Sequence, residues 1–395
     1  MKLALVVQRY GLEISGGAEL HCRWVAEHMA KHAQVEVLTT KAYDYITWKN
    51  HYPHDREVIN GIPVRRFPVD KTRNPERFGR IQNFVLQNEH RETDELRWLD
   101  EEGPHAPALI AHLKEHREEY DYFTFFSYRY YHSYWGLQTV PEKSILVPTA
   151  EHDPVVHLRI FRNLFHLPQA FIYNSVEERK MINSLSRNET ILGDIVGVGS
   201  EIPADISGER FRSKYSVVGD YILYIGRIDE NKGCHKLFEY FLAFKKETGS
   251  PVKLFLAGST VLKIPSHPDI VYLGFVSEQD KFDALDGALL LAMPSFYESL
   301  SMVAVEAWAL GKPVLANAQC EVLKGQCLRS NAGLFYESCE EFSEALKLLL
   351  SSEKLRQAMG ENGRQYFGQN YTWEVIEGKY LKILDQLEAR KREGA

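Results

Sequence analysis

No run of about 18 apolar residues occurs in this sequence, so nothing in it reads as a membrane-spanning helix. Its five cysteines, Cys22, Cys234, Cys320, Cys327 and Cys339, include no C-x-x-C pair and are odd in number. A disulfide framework and a zinc site are therefore both poor readings, and reduced thiols fit better. The opening "MKLALVVQRY" turns polar at Gln8 and Arg9, too early for the apolar core of a signal peptide, and reads as a first strand. A cytoplasmic location is expected. Positive charge is not in excess either. The net charge is −7, with 24 Lys+Arg against 27 Asp+Glu in residues 1–200 and 23 against 27 in residues 201–395. Nucleic-acid binding usually shows as a basic domain, and neither half is basic.

Several chemical signatures are missing too. The nearest approach to a dinucleotide fingerprint, "GVGSEI" at 197–202, has no third glycine and precedes a proline. Neither "GRIDENKG" nor "LGKP" completes a phosphate-binding P-loop, and G-x-S-x-G and H-E-x-x-H do not occur. The pairs His28/His32 and His112/His116 have helical i,i+4 spacing without an adjoining acid ligand, and are expected to face solvent.

What is present is an alternation of short apolar runs with amphipathic stretches. Strands are expected at 3–8, 35–40, 64–68, 144–149, 171–175 and 190–196, then at 221–226, 253–258, 270–275, 288–295, 313–317 and 333–336. Helices are expected at 17–32, 234–248, 278–286 and 339–350, with a last one over 371–395. Apolar strands alternating with helices mean α/β architecture with parallel sheets. The Gly- and Pro-containing stretch 197–211 separates the two series and reads as an interdomain linker. Residues 71–137 are less regular, with a basic stretch "KTRNPERFGR" and an aromatic cluster "YDYFTFFSYRYYHSYWG". They suit an acceptor or membrane surface, or equally a core and a solvated face.

The residues that could carry chemistry follow strands. After 221–226 come Arg227 and Lys232, placed to clamp a diphosphate or to lie solvated in a turn. After strand 3–8, Gly16 and Gly17 open a helix whose N-terminus favours an anion. After 144–149 stand Glu151, His152 and Asp153. The stretch "YESLSMVAVEAWALGKPVLAN" at 297–317 sets Glu298 before an apolar helix and Glu306 inside it. The amides of Leu300, Ser301 and Met302 would serve a phosphate. Glu306, buried among apolar neighbours, needs either the hydroxyls of a ribose or a Lys or Arg partner.

In this order and spacing the motifs "GGAE" (16–19), "EHD" (151–153), "GRIDENKG" (226–233), "LAG" (256–258), "VYLGFVSEQDK" (271–281), "PSFYESLSMVAVEAWALGKPV" (294–314) and "YTWE" (371–374) resemble the large retaining glycosyltransferase family called group 1 or family 4. The resemblance covers nearly the whole chain, and Glu298 and Glu306 match the family's E-x7-E pair. It implies a GT-B fold: two Rossmann-like domains, 1–203 for the acceptor and 204–372 for the donor, facing across a cleft, with a helix at 373–395 crossing back to the first. It implies sugar transfer from a nucleotide sugar, UDP- or GDP-linked, to a glycan, lipid-linked or small-molecule hydroxyl, with no cofactor and no metal. Arg227, Lys232 and the amides at Leu300, Ser301 and Met302 would hold the diphosphate, Glu306 the ribose, Phe275 and Val276 the base. Glu298 and His152 would contact the donor sugar as the catalytic pair, and Gly17, beside Gly16, would meet the phosphates. Ser299-Leu300-Ser301 stands where the family often carries Gly, which bears on the sugar contacts. A GT-B phosphorylase or epimerase, a non-catalytic sugar-nucleotide sensor, and contact with the inner membrane face are the competing expectations.

Overall fold

The structure is a computed structural model and describes residues 1–14 and 16–394. Residue 395, the last of the expected tail helix, lies outside the described residues. The chain divides into two compact units, Met1–Gly197 with Ile376–Ala395, and Val198–Val375.

Unit 1 contains β1 (Lys2–Val6), β2 (Gln34–Thr40), β3 (Arg56–Ile59), β4 (Ile62–Phe67), β5 (Tyr122–Phe126), β6 (Ser144–Val147), β7 (Ala170–Tyr173) and β8 (Leu192–Ile195). They form one sheet in the order β3-β4-β2-β1-β5-β6-β7-β8. Neighbours pair parallel except β3 and β4, which make an antiparallel hairpin at the edge. Asn60 and Gly61 both have positive φ there, the dihedrals that a tight hairpin turn requires. The central strands β1, β5 and β6 are buried almost throughout, as strands covered on both faces must be.

Sequence reading missed two of these strands. β3 alternates half-buried and exposed residues and is too short to register as an apolar run. β5, "YFTFF", lies inside the aromatic cluster at 120–136. That cluster is core: Tyr120, Tyr122, Phe123, Phe125, Phe126 and Tyr128 are all buried. The basic stretch before it leads into the helix Pro75–Gln87, capped by the Asn74 side chain, and Arg73 meets the Glu102 carboxylate at 2.7 Å.

The helix Trp373–Gly394 packs on unit 1 with Ile376, Tyr380, Ile383, Leu384 and Leu387 inward, a helical stripe. Glu377 on this helix corrects the expectation for His28. Its carboxylate lies 2.6 Å from His28 Nδ1, 2.8 Å from His32 Nε2 and 2.9 Å from Lys31 Nζ. His28 is buried in this cluster, whereas His32, past the end of the helix Gly17–Met29, stays exposed as expected while it meets the same carboxylate. His112 is buried as well, its ring 4.2 Å from that of His116, and burial lowers its pKa to about 4.

Unit 2 holds β9 (Tyr221–Ile225), β10 (Lys253–Ala257), β11 (Ile270–Gly274), β12 (Leu291–Met293), β13 (Val314–Asn317) and β14 (Gly333–Tyr336), all parallel, in the order β11-β10-β9-β12-β13-β14. The helix Glu353–Asn370 was not foreseen; its glycines and polar residues mask the apolar period. Among the described residues no helix is long and apolar enough to cross a membrane. The five cysteines are all free thiols.

Candidate functional site

From β9 the chain builds outward in one direction through β10 to β11, and in the other through β12 to β14. Such a reversal opens a crevice beyond the carboxyl ends of the two strands that flank it. Those strands are β9 and β12, followed by the loops 226–233 and 294–301, which hold Arg227, Lys232 and Glu298.

The two loops are stitched together. Phe296 N donates to Asn231 O at 3.2 Å, and Lys232 Nζ lies 2.8 Å from Glu298 Oε1 and 3.4 Å from Tyr297 O. Gly233 has φ +67°, and a Cβ placed on it would stand 2.0 Å from Pro294 O. Only glycine lets the first loop lie this close to the second. Asp229, buried, organises the first loop: Oδ2 accepts from Arg227 Nε, and Oδ1 accepts from Lys232 N at 2.7 Å. Tyr224 from the buried strand adds its hydroxyl to Arg227 O at 2.7 Å. Asp229 was missed by sequence reading. Its signal was a carboxylate two residues after the Arg and three before the Lys, the spacing by which Asp side chains hold turns.

The apolar helix begins at Met302, slightly later than expected, and runs to Ala309. Ser301 caps it in the left-handed region, with φ 71°, and makes no side-chain cap hydrogen bond. The first-turn amides point their partial positive charge outward from the end of the helix. The side chain of Leu300 is buried beneath them.

Glu306 lies one turn in and is 2% exposed. The residue that meets it is Lys281, whose Nζ is 2.8 Å from Glu306 Oε1 and 2.7 Å from Glu278 Oε2. Of the two expected partners, the Lys is therefore present in the chain itself. Burial pushes the Glu306 carboxyl above its ordinary pKa, and Lys281 pulls part of the way back. Burial works to lower the Lys281 ammonium, but Glu306 and then Glu278 outweigh it and leave it raised. Glu306 Oε2 is buried and makes no hydrogen bond. Phe275 and Val276 follow β11 at the sheet edge, and Phe275 is 78% exposed.

Unit 1 carries the other expected residues. Gly16 caps the helix Gly17–Met29 after β1, and Glu19 in the first turn pairs with Arg9 Nη2 at 2.6 Å. After β6, Thr149 takes a positive φ and His152 is exposed, its ring 5.5 Å from that of His157. Two carboxylates hold this turn. Asp153 receives Arg129 Nη1 at 3.2 Å, and Arg129 Nε also binds Glu102 at 2.9 Å. Glu178, buried, accepts from Ala150 N at 2.6 Å and from Asn174 N at 2.5 Å, tying the end of β6 to the end of β7. Burial pushes Glu178 up to about 8, against the pull of those amides. Neither Arg129 nor Glu178 was singled out from sequence, because their partners are distant in the chain.

Comparison with known proteins finds a family model that matches part of the chain. Residues 209–366 match the family model described as glycosyl transferases group 1. The matched residues all lie in unit 2. Lys232, Glu298 and Glu306 all lie within the matched residues. The capsular polysaccharide biosynthesis glycosyltransferase CapM of Staphylococcus aureus is 26% identical over 42% of this chain and 47% of its own length, so the chain spans about half of that relative. The lipopolysaccharide core biosynthesis glycosyltransferase LpsE of Rhizobium meliloti is 26% identical over 53% of this chain and 61% of its own length. Solved structures match the fold end to end. A sucrose-phosphate synthase from Thermosynechococcus elongatus has a TM-score of 0.71 at 16% identity, covering 98% of this chain and 99% of its own. Anabaena HepE, solved with UDP and glucose, has a TM-score of 0.70 at 18% identity, covering 98% and 100%. The architecture is thus the two-domain α/β fold of the GT-B type.

Proposed function

We propose that the protein is a retaining glycosyltransferase that takes a hexose from a UDP- or GDP-linked donor and passes it to a hydroxyl of a growing glycan or glycolipid. The observation that carries this reading is the set Arg227, Lys232 and Glu298 on the two stitched loops at the β9/β12 reversal, with Glu306 in the helix that follows, all inside the matched residues. Polysaccharide and lipopolysaccharide roles in the names of CapM and LpsE support the acceptor class, and the UDP-bound HepE structure supports the donor class.

In this reading Arg227 and Lys232 neutralise the diphosphate together with the amides of Leu300, Ser301 and Met302. Glu306 accepts from the ribose, and Phe275 and Val276 flank the base. Glu298 fixes Lys232 and meets the sugar; His152 and the Gly16–Gly17 turn serve from unit 1. Departure of the diphosphate leaves an oxocarbenium-like sugar, and the leaving oxygen takes the acceptor proton on the same face. Fixed cations and dipoles aimed at the leaving group provide most of the stabilisation such a step needs. Neither a cofactor nor a metal enters this scheme. The enzyme works in the cytoplasm, or against the inner membrane face when the acceptor is lipid-linked.

The test is thermal unfolding with UDP, GDP, ADP and dTDP without added metal. At 100 times its dissociation constant a nucleotide adds about 2.7 kcal/mol of stability. Lys232→Ala and Glu306→Ala should each shrink the shift given by the best nucleotide. No shift with any nucleotide, or shifts in both variants as large as in wild type, refutes the site. Turnover of the matching nucleotide sugar that needs no acceptor hydroxyl would point instead to an epimerase or phosphorylase.

A further inference from the structure

The pairing of Lys281 with Glu306 is more than a buried salt bridge that happens to lie near the site. Three features stand together. Glu306 is 2% exposed inside an otherwise apolar helix, and only one of its oxygens, Oε1, meets a cation. Oε2 is buried without a hydrogen bond, an expensive state unless something completes it. Lys281 is itself largely covered, its side chain 12% exposed, and comes from the helix Glu278–Gly287 that directly follows Phe275 and Val276. A lone buried carboxylate would take up a proton and become a weaker acceptor. One beside a fixed ammonium stays ionised and keeps both oxygens as acceptors.

We propose that Lys281 is a positioning residue of the nucleotide site: it holds Glu306 ionised and oriented through Oε1, so that Oε2 is left to accept a ribose hydroxyl. This rests on the reading of Glu306 as the ribose-binding carboxylate. Glu278, on the outer side, shares the ammonium and restrains its position. Lys281 and Glu278 are the charged groups that act on Glu306. Of the elements packed around its helix, β12 and β13 contribute no titratable side chain. Arg364 from the helix Glu353–Asn370 donates to Leu310 O at 3.1 Å, and Lys312 is engaged with Asp286 O, both at the far end of the Glu306 helix.

The experiment measures the dissociation constant of the best-bound nucleoside diphosphate between pH 7 and 9 in wild type, Lys281→Met, Lys281→Arg, Glu306→Gln and the double variant Lys281→Met/Glu306→Gln. Ionisation of the nucleotide is largely settled over this range and is common to all five proteins, so a slope that differs from wild type reports on the protein. Wild type should be flat. Lys281→Met should bind weakly at pH 7 and recover as pH rises, by up to about tenfold per pH unit below the new pKa of Glu306. Lys281→Arg should restore the flat profile, and the double variant should be weak and flat because its carboxamide does not titrate. Lys281→Gln gives the same readout if Lys281→Met fails to fold. A Lys281→Met protein that is flat and within about twofold of wild type overturns the proposal while Glu306→Gln still weakens binding. If wild type binds no nucleotide, the ribose reading itself has failed. Loss of affinity with no pH slope in Lys281→Met makes the pair structural and overturns it too.

Discussion

Gly233→Ala separates a backbone preference from a steric requirement, because the fold contains its own control. Gly233 has φ 67° and ψ 13°, and Gly249 at the other end of the same helix has φ 63° and ψ 12°. A methyl at Gly249 would meet nothing within 4 Å, whereas at Gly233 it would stand 2.0 Å from Pro294 O. Any L-residue in this left-handed region costs about 1 kcal/mol relative to glycine, so Gly249→Ala should lose about that much. At Gly233 the obstacle is backbone of the neighbouring loop, which cannot turn aside as a flexible side chain would. Relief requires the two loops to part by about 1 Å, and overpacking of that kind adds about 1–3 kcal/mol. For a unit of this size each kcal/mol lowers the melting temperature by about 2–4 °C. Gly249→Ala should therefore fall by about 2–4 °C and Gly233→Ala by about 4–16 °C, followed by calorimetry or circular dichroism. The parting would also move Lys232 on the first loop away from the amides of Leu300 and Ser301 on the second, so nucleotide affinity should drop in Gly233→Ala alone. Equal melting temperatures in the two variants, with equal nucleotide affinity, would refute the claim that the loops are set by this close approach.

Glu377→Gln should destabilise the docking of the last helix by about 2 kcal/mol near neutral pH, since it weakens hydrogen bonds to a charged carboxylate. Burial acts to raise the Glu377 pKa, but the bonds from His32, His28 and Lys31 outweigh it and lower it to about 2. A depressed folded pKa gives stability that is present above the unfolded value of about 4.3 and lost as pH falls toward 2, so the gap between wild type and variant in urea should narrow below pH 4; a gap that stays constant to pH 3 contradicts the clamp. Among the thiols, Cys339 is partly exposed, whereas burial pushes Cys320 and Cys327 up to about 12 and Cys234 up to about 11. A thiol reagent on the native protein should modify Cys339 first by peptide mass mapping, and early labelling of Cys320 or Cys327 would contradict the packing.

Fold legibility followed the strength of the local period. The series from β9 to β14 was readable because each strand is a short apolar run bounded by turn residues, and the helix Cys234–Thr248 was placed to the residue. β5 was lost for the opposite reason: neighbouring buried aromatics in the following helix gave no boundary. The Asn60–Gly61 hairpin was legible from its turn dipeptide and missed because the strands around it are half exposed. At the site, sequence singled out the groups proposed to meet the ligand and missed those behind them. Arg227, Lys232 and Glu298 stand beside recognisable glycines and prolines, whereas Asp229 and Lys281 look like ordinary surface charges until folding brings each against its partner. The histidines erred in the other direction. Spacing put His28 and His32 on one solvent-facing helical surface, whereas the helix ends at Met29, His32 follows it, and Glu377, 345 residues after His32, meets both.

The partners that sequence missed share a physical consequence. Each charged group proposed to touch the nucleotide already has an opposite charge of its own: Asp229 for Arg227, Glu298 for Lys232, Lys281 for Glu306. An unoccupied site built of like charges would repel itself and scatter its side chains, and ordering them would cost about 0.5–1.5 kcal/mol each when the ligand arrived. Pairing removes that cost by holding each group in place beforehand. It also sets a second term against binding, because a diphosphate must share Arg227 and Lys232 with the carboxylates that already hold them. Lys232 is the most exposed to this competition, since its partner Glu298 is itself proposed to meet the sugar. A donor that carries its sugar can draw Glu298 away from the lysine, whereas a bare nucleoside diphosphate cannot. The intact donor should therefore bind more tightly than its diphosphate product, and Glu298→Gln should erase that difference while strengthening the product, since Lys232 is then free for phosphate. Competitive titration of the two ligands against wild type and Glu298→Gln would show it, and a product that weakens in the variant would sink the argument.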